Sequence, residues 1–231
     1  MATTRAHEKV LDWVTSQLAA GQLTIGDRLP AERTLAETLG VSRNSLREAL
    51  RVLEAMGVLQ SATGSGHNSG TIITAAPEQA FGMAMGLQLA SRQMRPEHIF
   101  RTRLLLETAA VSQSDPAQLD VAAINDMLDA MDDPDMPIQG FLRLDAEFHV
   151  ALSRAAENPL LSTLMGAVSL AISDYTLELS HRLPDWQATA RRLQREHRGV
   201  LEAMVEGDGA AASERVERHI RGYYRETNAE A

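Results

Sequence analysis

Residues 29–59 read LPAERTLAETLGVSRNSLREALRVLEAMGVL, and this run decides the fold of the first third of the chain. Residues 31–39 form a short helical stretch that Gly40 ends, at a position that tolerates a left-handed backbone. A second helix follows at once, with Ser42 as its N-cap and an apolar line at Leu46, Leu50, Leu53 and Met56 before Gly57 closes it. Two short helices joined by a tight glycine-containing turn predict a helix-turn-helix. Upstream, residues 5–20 carry Val10, Leu11, Val14 and Leu18 at helical period, stopped by Gly21, and residues 23–30 are a connector. Downstream, residues 58–61 and 71–74 are β-type runs flanking ATGSGHNSG, whose composition predicts a hairpin. The expected first domain, residues 1–76, is therefore a winged helix-turn-helix.

TAAPEQ, around residue 76, reads as a hinge. Beyond it the pattern predicts no strand and helical segments at 77–92, 96–113, 116–131, 137–157, 159–182, 185–207 and 209–227. Pro77, Pro96, Pro116, Pro137 and Pro159 stand at or near helix starts, where the missing N–H costs little. The fold class is mainly α, with an all-α helical bundle over residues 77–231.

Composition narrows the function classes. With 44% hydrophobic and 23% charged residues, the 231-residue chain has an ordinary soluble balance. The opening MATTRAHEKV is polar, with no export signal, and AFGMAMGLQLA is too short and glycine-rich to span a bilayer, so no membrane partner is expected. The absence of cysteine excludes disulfides and thiolate metal sites and suits a cytoplasmic setting. The net charge of −9 is unevenly spread: residues 1–76 hold seven basic and seven acidic groups, and all of the excess lies beyond them. Only the neutral first segment can approach a polyanion without general repulsion.

The second helix of the motif is the one that enters the major groove, N-terminal residues first. Ser42, Arg43, Asn44 and Arg47 occupy that end, with Arg43 and Arg47 at i, i+4 on one face. An arginine can pair bidentately with guanine O6 and N7, worth about 1–3 kcal/mol of discrimination. Arg33, on the preceding helix, is placed for a phosphate or a flanking base. Gly66 and His67, at the wing tip, would let backbone approach the minor groove. The plainer alternative is that these arginines form surface ion pairs with Glu32, Glu37 and Glu48.

LP-x-ER, LA-x-x-LGVSR and REAL-x-x-LE-x-x-G within residues 29–59 closely resemble the DNA-binding segment of the GntR family of bacterial regulators. The resemblance implies that Arg33, Arg43 and Arg47 contact DNA; the wing departs from the family's commoner short form, because GSGHNSG is longer.

In the helical segment, DAEFHVAL places Asp145 and His149 at i, i+4 on one helix face, a spacing that lets two ligands reach one ion. His197 and His219 flank Gly207-Asp208-Gly209 with Asp208 midway, so in an antiparallel hairpin they sit at equal height. Three imidazoles and a carboxylate suit Zn, Ni, Mn or Fe, although such residues also occur as plain surface or core groups. DAEFHVALSRAAENPLL, EHRGVLEAMVEGD, ERHI and IFRTRLLLETAAV resemble the FadR-type (FCD) effector-binding domain of the GntR family. That resemblance implies a divalent metal held by Asp145, His149, His197 and His219, with Arg103 in the effector cavity. A guanidinium beside a metal suits a small carboxylate-bearing metabolite; the alternative is an i, i+4 surface pair of Arg103 with Glu107. Relatives commonly carry Glu at the position of Arg101.

Three functions compete on these residues. The first is a DNA-binding transcription regulator, a repressor, whose affinity for a pseudo-palindromic operator is switched by a small organic acid in a metal-containing pocket. A homodimer is expected with it, since a two-fold dimer doubles the bases read. The second is a direct metal-responsive regulator. The third is a metal-dependent hydrolase or lyase, against which stands the lack of a general base following the ligands as Glu does in H-E-x-x-H.

Overall fold

The computed structural model describes residues 2–62, 70–74, 76, 78–91 and 93–227. They fall into two compact units, Met1–Ala80 and Phe81–Ala231. The hinge expected around residue 76 includes Ala75 and Pro77, which lie outside the described residues.

Unit one contains α1 (Ala2–Ala19), α2 (Glu32–Leu39), α3 (Arg43–Ala55) and an antiparallel pair, β1 (Leu59–Ala62) and β2 (Gly70–Ile73). Leu59 pairs with Ile73 and Ala62 with Gly70, so both strands deliver an apolar residue, Leu59 and Ile73, to the core. Gly40 takes φ 60° and caps α2, turning the chain into Ser42, whose hydroxyl accepts the Ser45 N–H at 3.0 Å and starts α3. One face of α3 (Leu46, Ala49, Leu50, Leu53) is buried against Val10 and Val14 of α1 and Leu35 of α2. Burying each leucine contributes about 1.5–3 kcal/mol. The exposed ion pairs of α3 are worth about 0.2–1 kcal/mol each, so the apolar face fixes the helix and its polar face is free for other work. Met56 departs from the expected apolar line: it is the C-cap and 44% exposed, because the helix ends there and Gly57 turns the chain away.

Among its described residues unit two is built of helices, with one isolated antiparallel bridge between Ser114 and Ala156. It comprises α4 (Glu78–Ala90) from Phe81 onward, then α5 (Pro96–Ser112), α6 (Val121–Met131), α7 (Ile138–Ser153), α8 (Pro159–Ser180), α9 (Trp186–Val205) and α10 (Gly209–Glu226). The core is built from Phe141, Phe148 and Leu152 of α7, Leu193 and Val200 of α9, and Val216 and Ile220 of α10. α10 packs on both α9 and α5, and α8 on α7 and α5. The approach of α10 to α5 is close enough to need glycine: a Cβ on Gly209 would lie 2.5 Å from the backbone oxygen of Ser112.

Two expected helices are cut shorter. The segment 116–131 is a single 3-10 turn, Pro116–Gln118, followed by a separate α6. Asp115 accepts the Ala117 N–H and Asp120 accepts the Ala123 N–H, and two N-caps five residues apart cannot lie inside one continuous helix. The segment 137–157 stops at Ser153, because the following residues turn to pair with the end of α5, where the Asp115 N–H donates to Ala155 O. α8, 22 residues with a mean hydropathy of 1.3 in its most apolar window, is long and apolar enough to cross a membrane by length and composition. It packs Met165, Val168, Ile172 and Leu179 into unit two and carries Asp174 and Glu178 on exposed positions.

Candidate DNA-reading and metal-binding sites

On unit one, Arg33 of α2 and Ser42, Arg43, Asn44 and Arg47 at the start of α3 are all exposed. Arg47 Nε donates to Glu32 Oε2 at 2.7 Å, and Arg51 pairs with Glu48 at 2.7 Å. Arg33 and Arg43 form no ion pair among the described residues, nor does Glu37. The ion-pair alternative thus accounts for Arg47 alone of the three arginines. Ser42 has a structural duty as the cap of α3. Gly66 and His67 lie outside the described residues.

On unit two, the four ligand candidates come together although they start from three helices. Asp145 and His149 lie one turn apart on the buried face of α7, His197 on α9 and His219 on α10. Gly207 and Asp208 make the α9–α10 turn, Asp208 capping α10 through the Ala211 N–H. The equal spacing about Asp208 brings His197 Nε2 within 3.2 Å of His219 Nε2. His149 Nε2 also lies 3.2 Å from His219 Nε2, and Asp145 Oδ1 is 3.0 Å from His197 Nε2 and 3.8 Å from His149 Nε2. All four donor atoms fall within 4.8 Å of one another, and all four residues are buried.

The donor set fits a divalent cation. Ligands at about 2.0–2.1 Å from zinc in a tetrahedron sit about 3.3 Å apart, and the closest contacts here run from 3.0 to 3.8 Å. Without a cation, His219 Nε2 has one proton or one lone pair to offer two imidazole nitrogens, so one of the two contacts goes unsatisfied. Burial, and then His219 beside it, pushes the His197 imidazole down to about 4, and burial also lowers His219. Burial would raise the Asp145 carboxyl, but the hydrogen bond from His197 and the neighbouring His149 and Arg103 hold it far below the usual carboxylate range. A neutral imidazole at His197 and His219 and an ionised carboxylate at Asp145 are the protonation states a cation requires of them.

Arg103, on α5, is buried beside this cluster. Its Nε donates to Glu107 Oε1 at 2.5 Å, and its outer nitrogen lies 4.0 Å from Asp145 Oδ2. Burial opposes the charge, yet Glu107 and Asp145 raise the guanidinium above its ordinary value. Arg103, Asp145, Thr176, His219, Tyr223 and Tyr224 border a narrow cleft with space for about one water-sized molecule, so a larger ligand requires side chains to move apart. Arg101 is exposed and two residues along α5 from Arg103, so the charge of the cleft is set by Arg103, Glu107 and Asp145 instead.

The Arg103–Glu107 pair expected at the surface forms but is buried, and Glu196 was not singled out from the sequence. Glu107, 2% exposed, touches both Arg103 and the Nδ1 of His149, the latter at 2.5 Å. Glu196 accepts from His219 Nδ1 at 2.9 Å. The Arg103–Glu107 spacing of i, i+4 was the one available signal; Glu196 and His219 are 23 residues apart and meet only through helix packing.

Comparison with known proteins places both units. Residues 6–68 match the bacterial regulatory proteins of the gntR family, and residues 98–222 match the FCD domain. The chain is 28% identical over 206 residues to the HTH-type transcriptional regulator LutR of Bacillus subtilis, covering 87% of this chain and 91% of that protein. It is 29% identical over 223 residues to the putative L-lactate dehydrogenase operon regulatory protein of Escherichia coli, covering 94% and 84%. A Streptococcus agalactiae GntR structure shares the fold with a TM-score of 0.61 at 22% identity, over 96% of this chain and 99% of that one. These families and relatives are transcriptional regulators, not enzymes, and the hydrolase or lyase alternative falls. The chain is a DNA-binding transcriptional regulator that belongs to the gntR family of bacterial regulatory proteins, with an FCD domain as its effector-binding part.

Proposed function

We propose that this regulator is a cytoplasmic repressor whose hold on a pseudo-palindromic operator is switched by a small organic acid bound over a divalent metal. Residues 1–76 are the reading head, with Arg33, Arg43, Asn44 and Arg47 on the DNA and Ser42, Gly66 and His67 close to its backbone. Residues 77–231 bind the effector and join two chains. Asp145, His149, His197 and His219 hold the metal, zinc or nickel by donor type, and Arg103 takes the carboxylate. The observation that carries the reading is the convergence of four buried donor atoms within 4.8 Å beside a buried arginine. A dimer doubles the readout, and Phe81, Met83 and Leu87 of α4 with Leu105 of α5 leave unit two with exposed apolar side chains for a second copy to cover.

A second reading, direct metal sensing, is favoured by one observation: Arg103 already has Glu107 and Asp145 as anionic partners. An incoming acid must compete with them. L-lactate is the first acid to try, since one relative carries the L-lactate dehydrogenase operon in its name.

Native mass spectrometry of the purified protein tests the assembly. The expected species is a dimer carrying one divalent ion per chain, with adducted acid where an effector has co-purified. A metal-free monomer that takes up no zinc or nickel on addition would contradict it.

A further inference from the structure

We infer that Glu196 is the positioning residue that makes His219 a metal ligand, and that Arg192 and Glu226 hold Glu196 in that task. The inference rests on the metal reading above but concerns residues outside the ligand set.

A neutral imidazole carries one proton, on Nδ1 or on Nε2, and only the unprotonated nitrogen can bind a cation. In His219 the nitrogen facing the cluster is Nε2, 3.2 Å from both His149 Nε2 and His197 Nε2. A proton there would stand where a cation must go. Glu196 Oε2, 2.9 Å from Nδ1, draws the proton to the other side of the ring. Although Glu196 immediately precedes the candidate ligand His197 in the chain, its carboxylate serves a ligand on the neighbouring helix.

Glu196 is itself fixed. Arg192, one turn earlier on α9, meets both of its oxygens through one nitrogen, at 2.8 and 2.7 Å. The same guanidinium reaches Glu226 on α10 through Nε at 3.0 Å and a second nitrogen at 2.8 Å. Thr189 Oγ1 completes the group with a 3.1 Å bond to Glu226. Glu226 lies two turns beyond His219 on the same helix. The result is a clasp between α9 and α10 whose inner end is the carboxylate on His219. His197 has no such partner: its Nδ1 is buried without a hydrogen bond among the described residues.

The test compares zinc affinity of the full-length wild type and Glu196→Ala by competition with a chromogenic chelator. Loss of a carboxylate that orients a metal-bound imidazole typically weakens binding about 10–100-fold, and that loss is expected here. Unchanged zinc affinity in Glu196→Ala would overturn the assignment. A second measurement does not depend on the variant folding or on metal being bound. Long-range proton–nitrogen NMR of the metal-free wild type at mildly alkaline pH should show His219 protonated on Nδ1; protonation on Nε2 overturns the inference. If the wild type takes no zinc but the Nδ1 form is seen, the metal reading fails while the role of Glu196 in setting the tautomer stands.

Discussion

Arg43→Ala and Arg47→Ala are each expected to abolish the specific operator shift while leaving the thermal unfolding of the protein unchanged. Both arginines are exposed at the N-terminal end of α3, the part of a recognition helix that meets base edges, and neither contributes to the core under it. A lost bidentate contact to guanine costs about 1–3 kcal/mol, and a two-fold dimer loses it twice. The expected penalty is roughly 30-fold to 20,000-fold in specific affinity at fixed salt. Arg47 is tied to Glu32 by an exposed pair, worth about 0.2–1 kcal/mol, which is too little to compete with a good base contact. Electrophoretic shift with specific and scrambled duplexes, alongside a melting curve, checks both halves. Undiminished specific binding in both variants would mean that α3 is not the reading helix.

The second large effect concerns the metal. Zinc at about a thousand times its dissociation constant is expected to stabilise the protein by about 4 kcal/mol. For a domain of this size that corresponds to roughly 8–16 °C in melting temperature. His197→Ala should lose that increment. His197 is fully buried between Asp145 and His219, so no outside group can replace it. The alanine also leaves a cavity that lowers the metal-free melting temperature, so the quantity to compare is the shift on adding zinc, not the absolute value. A variant that keeps the full shift would remove His197 from the ligand set.

How far these sites could be read from the chain alone depended on distance along it. The helix-turn-helix was legible because its signals are local: Gly40 for the left-handed cap, Ser42 for the start of α3, and the leucine spacing for the buried face. The convergence of the four donor residues was legible in part, because Asp145 and His149 share a helix turn and Asp208 sits midway between His197 and His219. The break at Leu119 and Asp120 escaped because a second capping aspartate competes with helix propensity that otherwise runs through residues 116–131. Glu196 escaped because a glutamate on a charged amphipathic helix reads as solvated, and only the packing of α10 on α9 brings His219 to it. The second role of Glu107, at His149, likewise needed α5 and α7 side by side.

The central claim is that operator affinity depends on what occupies the cluster on α7, α9 and α10. Its most direct test is a titration of one operator, recovered by selection from random-sequence duplexes, with the protein in four states. These are chelator-treated wild type, zinc-loaded wild type, zinc-loaded wild type with L-lactate, and His197→Ala with zinc and L-lactate. A coupling of about 1–3 kcal/mol, or 5–150-fold in operator affinity, is expected between occupied and empty wild type, and none in the variant. A response to zinc alone selects the metal-sensing reading, and a response that needs the acid selects the effector reading. Identical operator affinity in all four states, with zinc shown to be bound, would contradict a reading head that answers to the pocket.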